Sequence, residues 1–219
     1  MNFQAKKEDS DRDPHTGTAM ETAFKVMPIS GQDRAISIPV TGGYLIALAD
    51  GAGGTGNGAI AAEGLMTFVT NLSKAAASSA DWFAMLCAFD DELSARPVSG
   101  QTTGIVAFVD GERVRGASVG DSSAWLITRS GGMTDLTAAQ RRRPLLGSGE
   151  ALPVEFEAER LGSRVLIGSD GLFKYAPADR ICSLATRETI IEAANALVDC
   201  VRLPSGAFHD DVSLVIVSK

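Results

Sequence analysis

Apolar residues recur along this chain in short runs separated by polar and glycine-rich breaks. Arg34–Val40 alternates enough to predict a strand, and Tyr44–Ala49 (YLIALA) is a continuous apolar run of strand length. The stretch from Asn57 to about Ala77 predicts a helix. A second helix is predicted over Asp81–Ala95, where Trp82, Met85, Leu86, Phe89 and Leu93 share one face while Asp90, Asp91 and Glu92 fall largely off it. Asp81 stands ahead of that stripe as its N-cap. Gly104–Val109 and Val114–Val119 flank Asp110-Gly111, the pattern of a hairpin. Ala124–Thr128, Val154–Phe156 and Val165–Ile167 read as further strands. Glu188–Val201 predicts a helix through Ile190, Ile191, Ala194, Leu197, Val198 and Val201, and Val212–Val217 (VSLVIV) predicts a last strand. Strands and helices come in blocks, without strict βαβ alternation. An α+β domain follows, with mostly antiparallel sheets and segregated helices. Residues 1–20 are polar and aperiodic and read as a disordered arm, leaving 21–219 as a single domain.

Composition narrows the class. Of 219 residues, 45% are apolar and 21% charged, the balance of a soluble globular protein. Such a chain buries ~70% of the surface it exposes when unfolded. The 27 acidic residues against 20 basic ones leave a net charge of −7, a poor match to nucleic acid or to an anionic membrane. Arg141-Arg142-Arg143 is too short a basic run to change that. No apolar run approaches the ~20 residues of a membrane span. The first residues lack the apolar core of a signal peptide, so a cytoplasmic protein is expected. Cys87, Cys182 and Cys200 are widely spaced and predict free thiols buried in helices.

Eight of the 23 glycines fall between Gly42 and Gly64. Gly51, Gly53 and Gly56 satisfy G-x-G-x-x-G between a strand and a helix. Two features argue against a dinucleotide loop. Asp50 would face the pyrophosphate, and a second helix follows where a strand with an acidic ribose ligand belongs. No Lys-Ser or Lys-Thr follows the glycines, which excludes a P-loop. The alternative makes Asp50 the centre of the loop, a carboxylate at a strand end beside exposed backbone carbonyls. Asp33, Asp170 and Asp210 stand at other predicted strand ends. Carboxylates converging there would repel one another, and two divalent cations would balance four of them. All-oxygen ligation suits Mg²⁺ or Mn²⁺ better than zinc.

At this point the chain resembles the metal-dependent, type 2C (PPM) protein serine/threonine phosphatases, as a compact, flap-less bacterial-type member. The motifs occur in order: Gly31-Gln32-Asp33; ALADGAGGTGNGAIAA; TTGIVAFVDGERVRGASVGDSSAWLI; RVLIGSDGLF; DDVSLVIV. The resemblance implies a four-layer α-β-β-α sandwich, two stacked antiparallel sheets flanked by helices. It implies that Asp50 bridges two Mg²⁺ or Mn²⁺ ions and that the Gly51 carbonyl binds one of them. Asp170 and Asp210 would bind the other, with Asp33 acting through bound water. The reaction implied is hydrolysis of phosphoserine or phosphothreonine in a signalling phosphoprotein, by a water bridging the two cations. The competing expectation is an inactive pseudophosphatase that binds phosphoproteins.

The chain departs from the family pattern at several places. Pro28 stands where many members carry a phosphate-holding arginine, leaving Lys25 or Arg34 to compensate. Ala52 replaces the eukaryotic general-acid histidine, and His209 is the nearest histidine by sequence. A third metal in bacterial members would use Asp121 and the position held here by Lys174. A charged lysine cannot ligate, so Lys174 is expected either to pair with Asp121 in the cation's place or to be a surface lysine after a turn. The flap is reduced to Ala138–Arg143 (AAQRRR), with its arginines expected in solvent or against an acidic phosphoprotein. Asp211, beside the chosen ligand Asp210, is expected to be a solvated strand start.

Overall fold

The computed structural model describes residues 20–72, 80–160 and 162–219. The elements in chain order are β1 (Glu21–Met27), β2 (Arg34–Val40), β3 (Gly43–Ala49), α1 (Gly58–Leu72), α2 (Trp82–Ser94), β4 (Gly104–Asp110) and β5 (Arg113–Val119). Then come β6 (Ser123–Ile127), β7 (Met133–Asp135), β8 (Val154–Glu159), β9 (Arg164–Gly168), α3 (Asp170–Phe173), α4 (Ala178–Ala185), α5 (Ile190–Cys200) and β10 (Val212–Ser218). One antiparallel sheet runs β2-β3-β4-β5-β8 and the other β1-β10-β9-β6-β7.

The continuous apolar strands are explained by layers. A strand sends alternate side chains to opposite faces, so a strand covered on both faces needs apolar residues at every position. In β3, Leu45, Ala47 and Ala49 pack with Leu65, Leu86 and Phe89 of α1 and α2. Ile46 and Leu48 of the same strand face the other sheet and meet Val215 and Val217. β10 repeats the arrangement: Leu214 and Ile216 pack with Ile181 and Leu197 of α4 and α5, while Val215 and Val217 fill the centre. Helices thus cover the outer face of each sheet, which is the four-layer α-β-β-α sandwich expected.

Four elements escape the periodicity reading: β1, β7, α4 and the single turn α3. β1 follows the polar arm and is paired only with β10, from the other end of the chain. β7 is three residues long, and α4 (ADRICSLA) is an amphipathic helix of only 8 residues, too short for its period to stand out. The expected arm falls mainly on residues 1–19, outside the described residues, as does the expected extension of α1 beyond residue 72. Met20, the arm's last residue, is tied in: its carbonyl accepts from the Tyr44 hydroxyl at 3.3 Å and its sulfur from Arg160 Nη1 at 3.3 Å. The cysteines are free and helical, but only Cys182 is buried; Cys87 and Cys200 are half-buried.

Candidate active site

The cleft lies where β3 and β9 end and where the chain enters β2 and β10. It encloses about 380 Å³, lined by Asp50, Gly51, Thr103, Asp121, Arg143, Asp170 and Asp210 among others. Asp50 is placed there by its backbone. Its N–H donates to Thr103 Oγ1 at 2.9 Å, and its carbonyl accepts from Thr103 N and Thr102 Oγ1, each at 2.9 Å. The Thr-Thr-Gly at the start of β4 therefore clamps the peptide and leaves the Asp50 carboxylate facing the cleft. A Cβ on Gly51 would run into the backbone of Gly58 and Ala59, and one on Gly58 into the backbone of Gly51 and Ala52. The two backbones touch, and Gly56 closes the turn at φ 85°. The glycine cluster is thus a tight strand-to-helix turn beside Asp50.

Asp33 is 1% exposed, and neither of its carboxylate oxygens has a hydrogen-bond partner. It lies behind Asp50, among Asp50, Ser169 and Ser213, close enough for each to weigh on its ionisation. Burial pushes its carboxyl up to about 6. Burial, and then the charges of Asp33, Asp170 and Asp210, push Asp50 up to about 9. Asp170 is raised by burial and by the charges of Asp121 and Asp210. Asp210 is exposed on the cleft wall. Among the described residues no three such side chains close into a ligand cage; they share one wall and one field.

This donor set fits hard divalent cations. It is all oxygen, and it holds two unpartnered oxygens on a buried carboxylate. Asp50, Gly51, Asp170 and Asp210 all line the cleft.

Asp211 differs from expectation. It is buried, not solvated. One of its oxygens accepts from the N–H groups of Ile29 and Ser30 (2.7 Å for Ser30), the other from Gln32 N at 2.7 Å and Ser30 Oγ at 2.9 Å. Burial raises its carboxyl, but the donors of Ile29, Gln32 and Ser30 outweigh that and hold it down at about 2. Asp211 therefore staples the loop that carries Asp33. The motif position set Asp210 apart as the candidate ligand, but the anchoring role of Asp211 shows only in its bonds to the 29–33 loop, distant in sequence.

The expected Lys174–Asp121 pair does not form. Asp121 Oδ2 accepts from Arg142 Nη2 at 2.6 Å and Nε at 3.0 Å. Lys174 caps α3 and holds its ammonium 5.3 Å from the Tyr175 ring. Of the residues suggested to replace the missing arginine, Arg34 faces away: it pairs with Glu63 at 2.7 Å and donates to the carbonyls of Gly31 and Asp33. His209 stacks on Tyr175, with centroids 4.7 Å apart and rings 12° from parallel, and is not among the residues lining the cleft.

Two layered sheets with an acidic cleft at their edge are also the fold of solved bacterial serine/threonine phosphatases. The Stage II sporulation protein E (SpoIIE) family model matches residues 41–219, and the chain belongs to that family. A bacterial serine phosphatase carrying a point substitution is similar at 20% identity and TM-score 0.80, over 93% of this chain and 100% of that one. The serine/threonine phosphatase Stp1 from Staphylococcus aureus is similar at 20% identity and TM-score 0.78, over 96% and 99%. The catalytic domain of the serine/threonine phosphatase PstP, in complex with two manganese ions, is similar at 21% identity and TM-score 0.73, over 91% and 97%. No curated protein matches the chain.

Proposed function

We propose that this protein is a metal-dependent phosphoprotein phosphatase that hydrolyses phosphoserine or phosphothreonine, with Asp50, Gly51, Asp170 and Asp210 holding two Mg²⁺ or Mn²⁺ ions and Asp33 supporting them from behind. The observation that carries the reading is Asp33, a carboxylate 1% exposed beside Asp50 that forms no ion pair among the described residues. A structural carboxylate in such a place is costly unless something cationic meets the group, and a solved structure of matching fold that holds two manganese ions supports a divalent metal in that role. When bound, divalent ions supply a Lewis acid and a nucleophilic water at neutral pH.

The chain's own residues do the positioning. Thr102 and Thr103 fix the Asp50 peptide at the cleft edge. Asp211 fixes the 29–33 loop, and through it Asp33. Proteins of matching fold include Stp1 and the manganese complex of PstP, which supports both the substrate class and the metal. Among the described residues no helix is long and apolar enough to cross a membrane. The reading is of a cytoplasmic enzyme whose partner is a phosphoprotein.

The test is Mn²⁺-dependent hydrolysis of p-nitrophenyl phosphate and of a phosphoserine peptide, with Asp50→Asn beside the wild type. Turnover in the wild type and its loss in the variant supports the enzyme. A folded wild type that binds Mn²⁺ and phosphopeptide without turnover establishes the pseudophosphatase, the reading that Pro28 favours.

A further inference from the structure

The short segment that stands in place of a flap is tied down on both sides of its arginines. Gln140 Nε2 donates to the Ser122 carbonyl at 2.5 Å. Leu146 exchanges two backbone hydrogen bonds with Thr102, each 3.1 Å. Between these ties Arg142 closes on Asp121 through two nitrogens. Its neighbour Arg143 lines the cleft with Asp50, Asp121, Asp170 and Asp210, and is the one cation among the lining residues. Among the described residues Arg143 forms no ion pair, so its guanidinium fork is open to a ligand.

An open guanidinium beside a carboxylate wall would ordinarily collapse onto one of the carboxylates. Here Asp121 is already held by Arg142, and the clamped segment keeps the second arginine on the cleft lining. A phosphate monoester is a planar-faced, multi-oxygen anion, which a guanidinium grips through two parallel hydrogen bonds. The other cations near the site are committed elsewhere: Arg34 to Glu63 and Lys174 over Tyr175. We infer that Arg143 is the residue that grips the substrate phosphate in this cleft, and that Arg142, pinned on Asp121, is the positioning residue that presents it. The inference rests on the phosphatase reading and names a binding group the family's early arginine position, here Pro28, lacks.

The probe is inorganic phosphate, titrated calorimetrically into the Mn²⁺-loaded protein and used as a competitive inhibitor of p-nitrophenyl phosphate hydrolysis. R143A is expected to weaken phosphate binding and raise KM by roughly 10- to 100-fold, the range of a charged hydrogen-bond pair. Its kcat should fall less than its KM rises, and Mn²⁺ affinity should stay within about twofold of wild type, since Arg143 faces the anion and not the metal. R143K should recover part of the loss, because a point charge lacks the fork. R142A and D121N should each shift KM in the same direction by a smaller factor, as both break one pair. R141A, outside the cleft, should match wild type. If R143A keeps wild-type phosphate affinity and KM in an active enzyme, the inference is wrong and the phosphatase reading stands. If the folded wild type shows neither Mn²⁺-dependent turnover nor phosphate binding, the phosphatase reading falls and takes this inference with it.

Discussion

Asp50 and Asp211 are both withdrawn from water near the same loops, yet their carboxyls are driven in opposite directions, to about 9 and to about 2. Burial opposes the charge of each. Around Asp211 the amides of Ile29, Ser30 and Gln32 replace the lost water. Around Asp50 stand Asp33, Asp170 and Asp210, which make the loss worse. Asp90 has amides around it as well: it is 3% exposed and its oxygens accept from Gly147 N at 2.5 Å and Ala151 N at 2.8 Å, which fastens the loop that follows the arginine segment. A buried carboxylate met by N–H groups is a structural anchor, and one met by other carboxylates is a place for a cation.

The strongest way to break this contrast is to neutralise one member of each kind. Asp50→Asn is expected to lower Mn²⁺-dependent turnover by ~10³-fold or more, the scale on which losing charge stabilisation at a reaction centre acts. The same substitution should raise the melting temperature measured with chelator at neutral pH, because the amide needs no proton taken up on folding as the raised Asp50 carboxyl does; an unchanged or lower value would contradict the raised carboxyl. Asp211→Ala should do the reverse. It leaves the amides of Ile29, Ser30 and Gln32 without a partner and should cost about 3 kcal/mol in chemical denaturation. Turnover would then fall through displacement of Asp33, with Mn²⁺ affinity reduced.

The two carboxyls should also give opposed pH slopes. Asp50 keeps its proton in the folded state up to about 9, whereas an unfolded carboxyl loses it near 3.8. The folded state therefore binds more protons across that window, and the metal-free protein should lose stability as pH rises through it. Asp211 is ionised in the folded state down to about 2. Its contribution is present above the unfolded value near 3.8 and disappears as pH falls toward 2. Denaturation midpoints from pH 3 to 9, with and without Mn²⁺, test both slopes; the ion should flatten the alkaline one, and Asp211→Asn should weaken the acid one. The smallest effect is expected of Thr103→Val, which removes the hydroxyl that accepts from Asp50 N and meets Ser122 Oγ at 2.7 Å. About 1 kcal/mol should be lost, with a modest fall in turnover.

Much of this architecture is legible along the chain. The run YLIALA and the final VSLVIV are apolar at consecutive positions because each lies between two layers. The candidate ligands are legible too, since Asp33, Asp50, Asp170 and Asp210 each stand at the end of a strand. β1 is not legible in that way: its pairing with β10 spans nearly the whole chain, and its own alternation is weak. The pairing of Asp121 is also illegible, because Lys174 and Arg142 are both plausible by distance along the chain and only one folds onto it.

By itself, then, the sequence determined the layered class, the acidic strand ends and the tight glycine turn, all of which depend on local pattern and backbone freedom. Tertiary structure decided which aspartate is an anchor and which faces the cleft, and which arginine holds Asp121 while its neighbour stays open. Those assignments turn on the dielectric and the hydrogen-bond donors around each charge, and such surroundings are assembled from segments far apart in the chain.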